Sequence, residues 1–157
     1  MSPRIDSASR SISASPGKIY RAFAEPGEME RWLPPGNMVG RMLHFDFRQG
    51  GSYRMRLTYN ESQQGTGKTS DDADEVEVRL TSLEPGKRIE QEVVFESDDP
   101  AFSGTMKMTW AFRPRGDRTL VSVRAENVPV GISPEDHEEG LNASLDNLAA
   151  FVEWRGK

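Results

Sequence analysis

Apolar positions along the chain follow two spacings, and the switches between them lay out the elements. Arg10 to Ala14 reads as the end of a first strand. Ser15-Pro16 then supplies an N-cap and a first-turn proline for a short helix carrying Ile19, Tyr20 and Phe23. Pro26 ends or interrupts that helix, and Met29, Trp32 and Leu33 form a second small helical face, stopped by Pro34-Pro35-Gly36. From Val39 the period becomes two. Leu43, Phe45 and Phe47 alternate with His44, Asp46 and Arg48 up to a hairpin turn at Gly50-Gly51. Tyr53, Met55, Leu57 and Tyr59 then alternate with Arg54, Arg56 and Thr58, so that one face is apolar and the other cationic.

Asn60 to Asp74 holds only polar, glycine and alanine residues and reads as a mobile hairpin loop. The alternation resumes with Val76, Val78 and Leu80, turns at Glu84-Pro85-Gly86-Lys87, and continues through Ile89, Gln91, Val93 and Phe95. After a loop over Ser97 to Gly104, Met106, Met108, Trp110 and Phe112 face one way. A turn over Arg113 to Asp117 leads to a last strand with Val121, Val123 and Ala125 inward. The spacing changes once more between Ser133 and Arg155. Leu141, Leu145, Leu148 and Val152 make an apolar helical stripe, with Asn142, Asp146, Ala149 and Glu153 on the opposite side. A helix of about 22 residues spans roughly 33 Å, enough to cross a twisted sheet. A sheet curled round such a helix leaves a gap between the two, the leading candidate for a functional site.

The length of 157 residues predicts one domain over residues 1–157. Mean hydropathy is low at -0.68, yet the apolar residues are periodic rather than scattered, which argues for a folded chain. A net charge of -5 gives no general attraction to nucleic acid or anionic lipid, so neither is an expected partner. No signal-peptide pattern and no apolar run of membrane-spanning length is visible, so a soluble cytoplasmic protein is expected. The sequence does not fix the oligomeric state, and a homodimer is compatible with it.

Candidate chemistry is sparse. The absence of cysteine excludes disulfides, thiolate metal sites and cysteine nucleophiles. Gly65-Thr66-Gly67-Lys68-Thr69 has the ending of a phosphate-binding loop. It lacks the first glycine, where Ser62 stands, and the flanking strand and helix, and Asp71, Asp72 and Asp74 would repel phosphate. The only histidines are His44 and His137, with no metal-type spacing, so no metal or cofactor is expected. His44 alternates with inward Phe45 and reads as a surface residue. His137 stands among Glu135, Asp136, Glu138 and Glu139, a cluster that helix capping and solvation explain. No catalytic residues can be named.

Four stretches carry a resemblance that spans nearly the whole chain: Ala14-Ser15-Pro16 with Tyr20 and Phe23, Glu30-Arg31-Trp32-Leu33-Pro34, Asp46-Phe47-Arg48-Gln49-Gly50-Gly51-Ser52-Tyr53, and Leu83 to Ile89. With the element order, they resemble the START-like (SRPBCC) superfamily of helix-grip, birch-pollen-allergen-like proteins, and within it the Hsp-90 ATPase activator homologue subgroup. The resemblance implies an α+β helix-grip fold: a curved antiparallel sheet of about seven strands round a long C-terminal helix, with two short helices after the first strand. It further implies a cavity for a small apolar or amphipathic ligand. Alternative readings are an enzyme using the same cavity, since the superfamily includes cyclases and hydrolases, and a chaperone-associated interaction protein, as the subgroup's name suggests.

Relatives often carry a tryptophan pair where this chain has Trp32-Leu33, and Gly-Trp where it has Gly140-Leu141. A wider or more aliphatic pocket is expected if these positions line it. The candidate ligand-binding residues are those on inward periods, Trp32, Phe45, Tyr53, Met55, Gln91, Phe95, Met108 and Trp110, with Leu141 and Leu145 from the last helix.

Overall fold

The structure is a computed structural model that describes residues 4–34, 38–59, 73–95 and 104–153. Its elements run β1 (Ile5–Ile12), α1 (Pro16–Ala24), α2 (Pro26–Trp32), β2 (Met38–Phe45), β3 (Ser52–Tyr59), β4 (Ala73–Glu84), β5 (Arg88–Phe95), β6 (Gly104–Arg115), β7 (Arg118–Glu126) and α3 (Pro134–Glu153). All seven strands form one antiparallel sheet in the order β1-β7-β6-β5-β4-β3-β2. Strands β2 to β7 are a meander in which each strand pairs with the next in sequence. β1 and β2 are consecutive strands yet occupy opposite edges, and α1 and α2 carry the chain across.

Local chemistry sets the element ends. The Ser15 hydroxyl accepts from the Lys18 N–H at 3.2 Å to cap α1, whose first turn holds Pro16. Ser133 caps α3, accepting from the Asp136 N–H at 3.0 Å, ahead of acidic Glu135 and Asp136 in the first turn. At Pro85-Gly86 the chain turns with Gly86 at φ 74, and Lys87 N–H donates to Glu84 at 2.8 Å.

Three expectations are corrected. Leu43 is not inward: the register shifts between Met42 and His44, and this bulge leaves Leu43 47% exposed while Met42 packs on the core. Residues 113–115 belong to β6 rather than to a turn, which is confined to Gly116-Asp117. Pro114 is tolerated in β6 because β5 pairing ends at Arg88↔Ala111, so no neighbouring carbonyl lacks a donor. Ala149 is buried, not outward, because it follows Leu145 by four residues and widens the apolar stripe of α3. The expected loop over Asn60 to Asp74 lies, apart from the backbone of Ala73 and Asp74, outside the described residues.

The core fills the concave side of the sheet. Ile12, Ile19, Met55, Leu80, Ile89, Val121, Val123, Leu145, Leu148 and Val152 are all fully buried. On the convex side, charged residues pair across strands, as Arg54 does with Glu75 at 2.8 Å and Arg79 with Glu92 at 3.8 Å. Exposed pairs of this kind add little stability but keep that face wet.

Along the concave face, α3 runs beside β1 and is tied to it at three levels. Asp6 meets His137, Arg10 meets Asp146, and the Ser13 N–H donates to Glu153 at 2.8 Å. From Asp6 to Ser13 a strand advances about 23 Å, and from His137 to Glu153 a helix advances about 24 Å. The two elements therefore run parallel and in step.

Candidate ligand cavity

The concave side divides into two regions. Under α1 and α2 the space is closed by rings. Phe23 stands edge-on to Trp32 at 4.9 Å and to Trp110 at 5.0 Å, and Trp32 meets Trp110 at 6.1 Å. Trp32 Nε1 donates to the Ala22 carbonyl at 2.9 Å, which fixes the indole in this cluster. Farther along, where α3 bridges the sheet, a cavity of about 280 Å³ remains. Its walls are Tyr53, Met55 and Leu57 of β3, Val76 and Val78 of β4, Gln91 and Val93 of β5, and Met106, Met108 and Trp110 of β6. Leu33 and, from α3, His137, Gly140, Leu141 and Ser144 complete it.

Six expected site residues meet at this cavity: Tyr53, Met55, Gln91, Met108, Trp110 and Leu141. Trp32 does not; it belongs to the aromatic cluster. Phe45 is half-buried against Phe47, stacked at 5.9 Å, and against Tyr53 at 5.9 Å, away from the cavity. Leu145 is wholly buried under α3 and forms core rather than wall. The side chain of Phe95 lies outside the described residues.

Leu33, His137, Gly140 and Ser144 were not among the expected site residues. A signal for three of them existed, since positions 137, 140, 141 and 144 share one helical face with the Leu141 stripe. The assignment of His137 to capping and solvation is corrected by its contacts. Its ring is 13% exposed, and Nδ1 lies 2.7 Å from Asp6 Oδ2. Leu33 and Leu141, which stand where the family resemblance expects tryptophan, both line the cavity.

Electrostatics at the wall are uneven. The Asp6 carboxylate is nearly closed from solvent and also receives the Arg4 guanidinium at 2.8 Å. Its pKa is held below the usual value chiefly by the hydrogen bond from Arg4, with His137 adding to the effect. Burial pushes the Tyr53 phenol up, so it stays protonated and available as a donor. Trp110 Nε1 has no hydrogen-bond partner among the described residues and is sealed from solvent. Among the described residues, no group of three or more histidine, aspartate or glutamate side chains is placed to hold a metal ion. No helix among them is long and apolar enough to cross a membrane.

A seven-stranded antiparallel sheet curved round a C-terminal helix, with two short helices after the first strand, defines an α+β helix-grip domain. Residues 13–153 match the model of the family described as Activator of Hsp90 ATPase homolog 1-like protein, and the chain belongs to that family. It is similar to the crystal structure of protein CV1439 from Chromobacterium violaceum, with 32% identity and a TM-score of 0.81 over 97% of this chain and 99% of that one. Protein MLL2253 from Mesorhizobium loti shares the fold at 19% identity and a TM-score of 0.75, over 98% and 99% of the two chains. Mll3558 from Rhizobium loti does so at 23% and 0.71, over 94% and 96%. A comparison with curated proteins gives no match.

Proposed function

We propose that this protein binds a small apolar or amphipathic ligand in the cavity between α3 and the sheet. The observation that carries the reading is the cavity itself: about 280 Å³ walled mainly by methionine, valine, leucine and aromatic side chains, with a few polar groups, Tyr53, Gln91, His137 and Ser144, at its surface. Ligand sites are typically concave, mostly apolar and furnished with a small number of orienting polar groups. Methionine suits such a wall because its unbranched thioether adapts to ligands of differing shape.

The test is thermal unfolding in the presence of a panel of hydrophobic small molecules, followed by mass spectrometry of the mixtures. Ligands that bind the native state raise Tm by mass action, and recovery unchanged marks binding without turnover. A panel with no member that raises Tm would overturn the reading. A converted ligand would assign an enzyme.

The family description supports a second reading, an interaction that stimulates a chaperone ATPase. It is separated from the first by adding the protein to a bacterial Hsp90-type chaperone and measuring ATP hydrolysis.

A further inference from the structure

His137 is the one titratable residue of α3 that lines the cavity, and its two ring nitrogens have different surroundings. Nδ1 lies 2.7 Å from Asp6 Oδ2, whereas no described residue bonds to Nε2. Asp6 is also held by the Arg4 Nε and Nη2 atoms, at 3.2 and 2.8 Å. A carboxylate so engaged only accepts, so Nδ1 is the donor of this pair. In the neutral imidazole the single proton therefore sits on Nδ1, and Nε2 presents a lone pair. Gly140, three residues along the same face, leaves open space where a Cβ would stand, so a ligand can approach the helix beside the ring.

Resting on the ligand-binding reading above, we infer that His137 is a specificity-determining residue for a ligand with an apolar body and a hydroxyl group, alcohol or phenol. The hydroxyl donates its proton to His137 Nε2. Asp6 is a positioning residue that fixes the tautomer, and Arg4 holds Asp6. A ligand carboxylate is disfavoured, because the acceptor lone pair of Nε2 repels it.

The experiment compares 2-naphthol, 2-methoxynaphthalene and 2-naphthoate by titration calorimetry at slightly alkaline pH, on the wild type, His137→Phe and His137→Gln. The wild type is expected to favour 2-naphthol over 2-methoxynaphthalene roughly tenfold, the value of one neutral hydrogen bond. His137→Phe should bind the two ligands equally, whereas His137→Gln, whose amide oxygen still accepts, should keep part of the preference. His137→Gln keeps a donor for Asp6, so it guards against loss of fold in His137→Phe. Long-range proton–nitrogen spectra give a readout that a merely structural role would not move: 2-naphthol should shift the His137 Nε2 resonance and leave exposed His44 unchanged. Equal affinities in the wild type, or a preference for 2-naphthoate, would overturn the inference while leaving the ligand-binding reading intact. Binding of none of the three, with no hit from the wider panel, would overturn both.

Discussion

Gly51 stands so close to Asp46 that a Cβ on the glycine would lie 2.2 Å from the aspartate's carbonyl oxygen. The approach is enforced from both sides. Gly51 N–H donates to Arg48 at 2.8 Å, while Gly50 N–H and Gly51 C=O pair with the backbone of Leu80 at 2.8 and 2.9 Å. The Asp-x-Arg-x-Gly-Gly run thus folds a turn against β4, and its second glycine is required by space. Gly51→Ala is expected to cost about 1–3 kcal/mol, since a backbone contact cannot swing aside. Urea unfolding checks the loss, and a Gly51→Ala protein as stable as the wild type would contradict the close approach.

Met108 and Leu145 separate wall from core. Met108→Trp adds volume to the cavity and should abolish binding of hydrophobic ligands while changing stability by less than about 1 kcal/mol. Leu145→Phe adds volume where none is free and should cost about 1–3 kcal/mol. Thermal unfolding of both variants, with and without ligand, reads out the contrast.

The lowered pKa of Asp6 has a defined sign. A carboxyl whose folded pKa lies below its ordinary value of 3.8 contributes stability that is complete above that value and is lost as pH falls through the folded pKa. Asp6→Asn should be less stable than the wild type at about pH 7, and the gap should narrow in strongly acidic solution. Urea midpoints of the two proteins across that range give the measurement. A gap that stays constant would mean that the carboxylate's charge is not what Arg4 and His137 recognise.

Removal of the chain from Leu141 onward should abolish cooperative unfolding. Leu141, Leu145, Leu148 and Val152 are each at most 4% exposed. At about 1.5–3 kcal/mol per buried side chain, their sum rivals the whole stability of a small domain. A truncated protein that melts in one sharp calorimetric transition would refute this.

Much of the fold was legible because alternation and helical spacing report which side of an element is dry. Among the described side chains, the inward sets of β3 to β7 and the stripe of α3 stand as the spacing implied, and Ser15 caps α1 as its sequence implied. Leu43 departs from the alternation because one inserted residue puts Met42 and Phe45, three positions apart, on the same face, and nothing in the side chains near Met42 marks the insertion. The site was half legible. Periodicity places Trp32, Tyr53, Met108 and Trp110 on the concave side but does not say how far α1 and α2 extend over it. That distance decides which of these residues pack ring on ring and which border a void. The pairing of Asp6 with His137 spans 131 positions and follows from topology alone.

The placement of β1 has a consequence for how the protein is made. Six strands form a meander whose hairpins can close as the chain leaves the ribosome, each from contacts near in sequence. Ile5–Ile12 is synthesised first, but its partners are β7 and α3, from the last third of the chain. That strand therefore cannot dock until β7 has been made, and the Asp6–His137 corner of the cavity waits for α3. Nascent chains halted before α3 are expected to expose the apolar concave face, the stage at which this protein most needs shielding from aggregation.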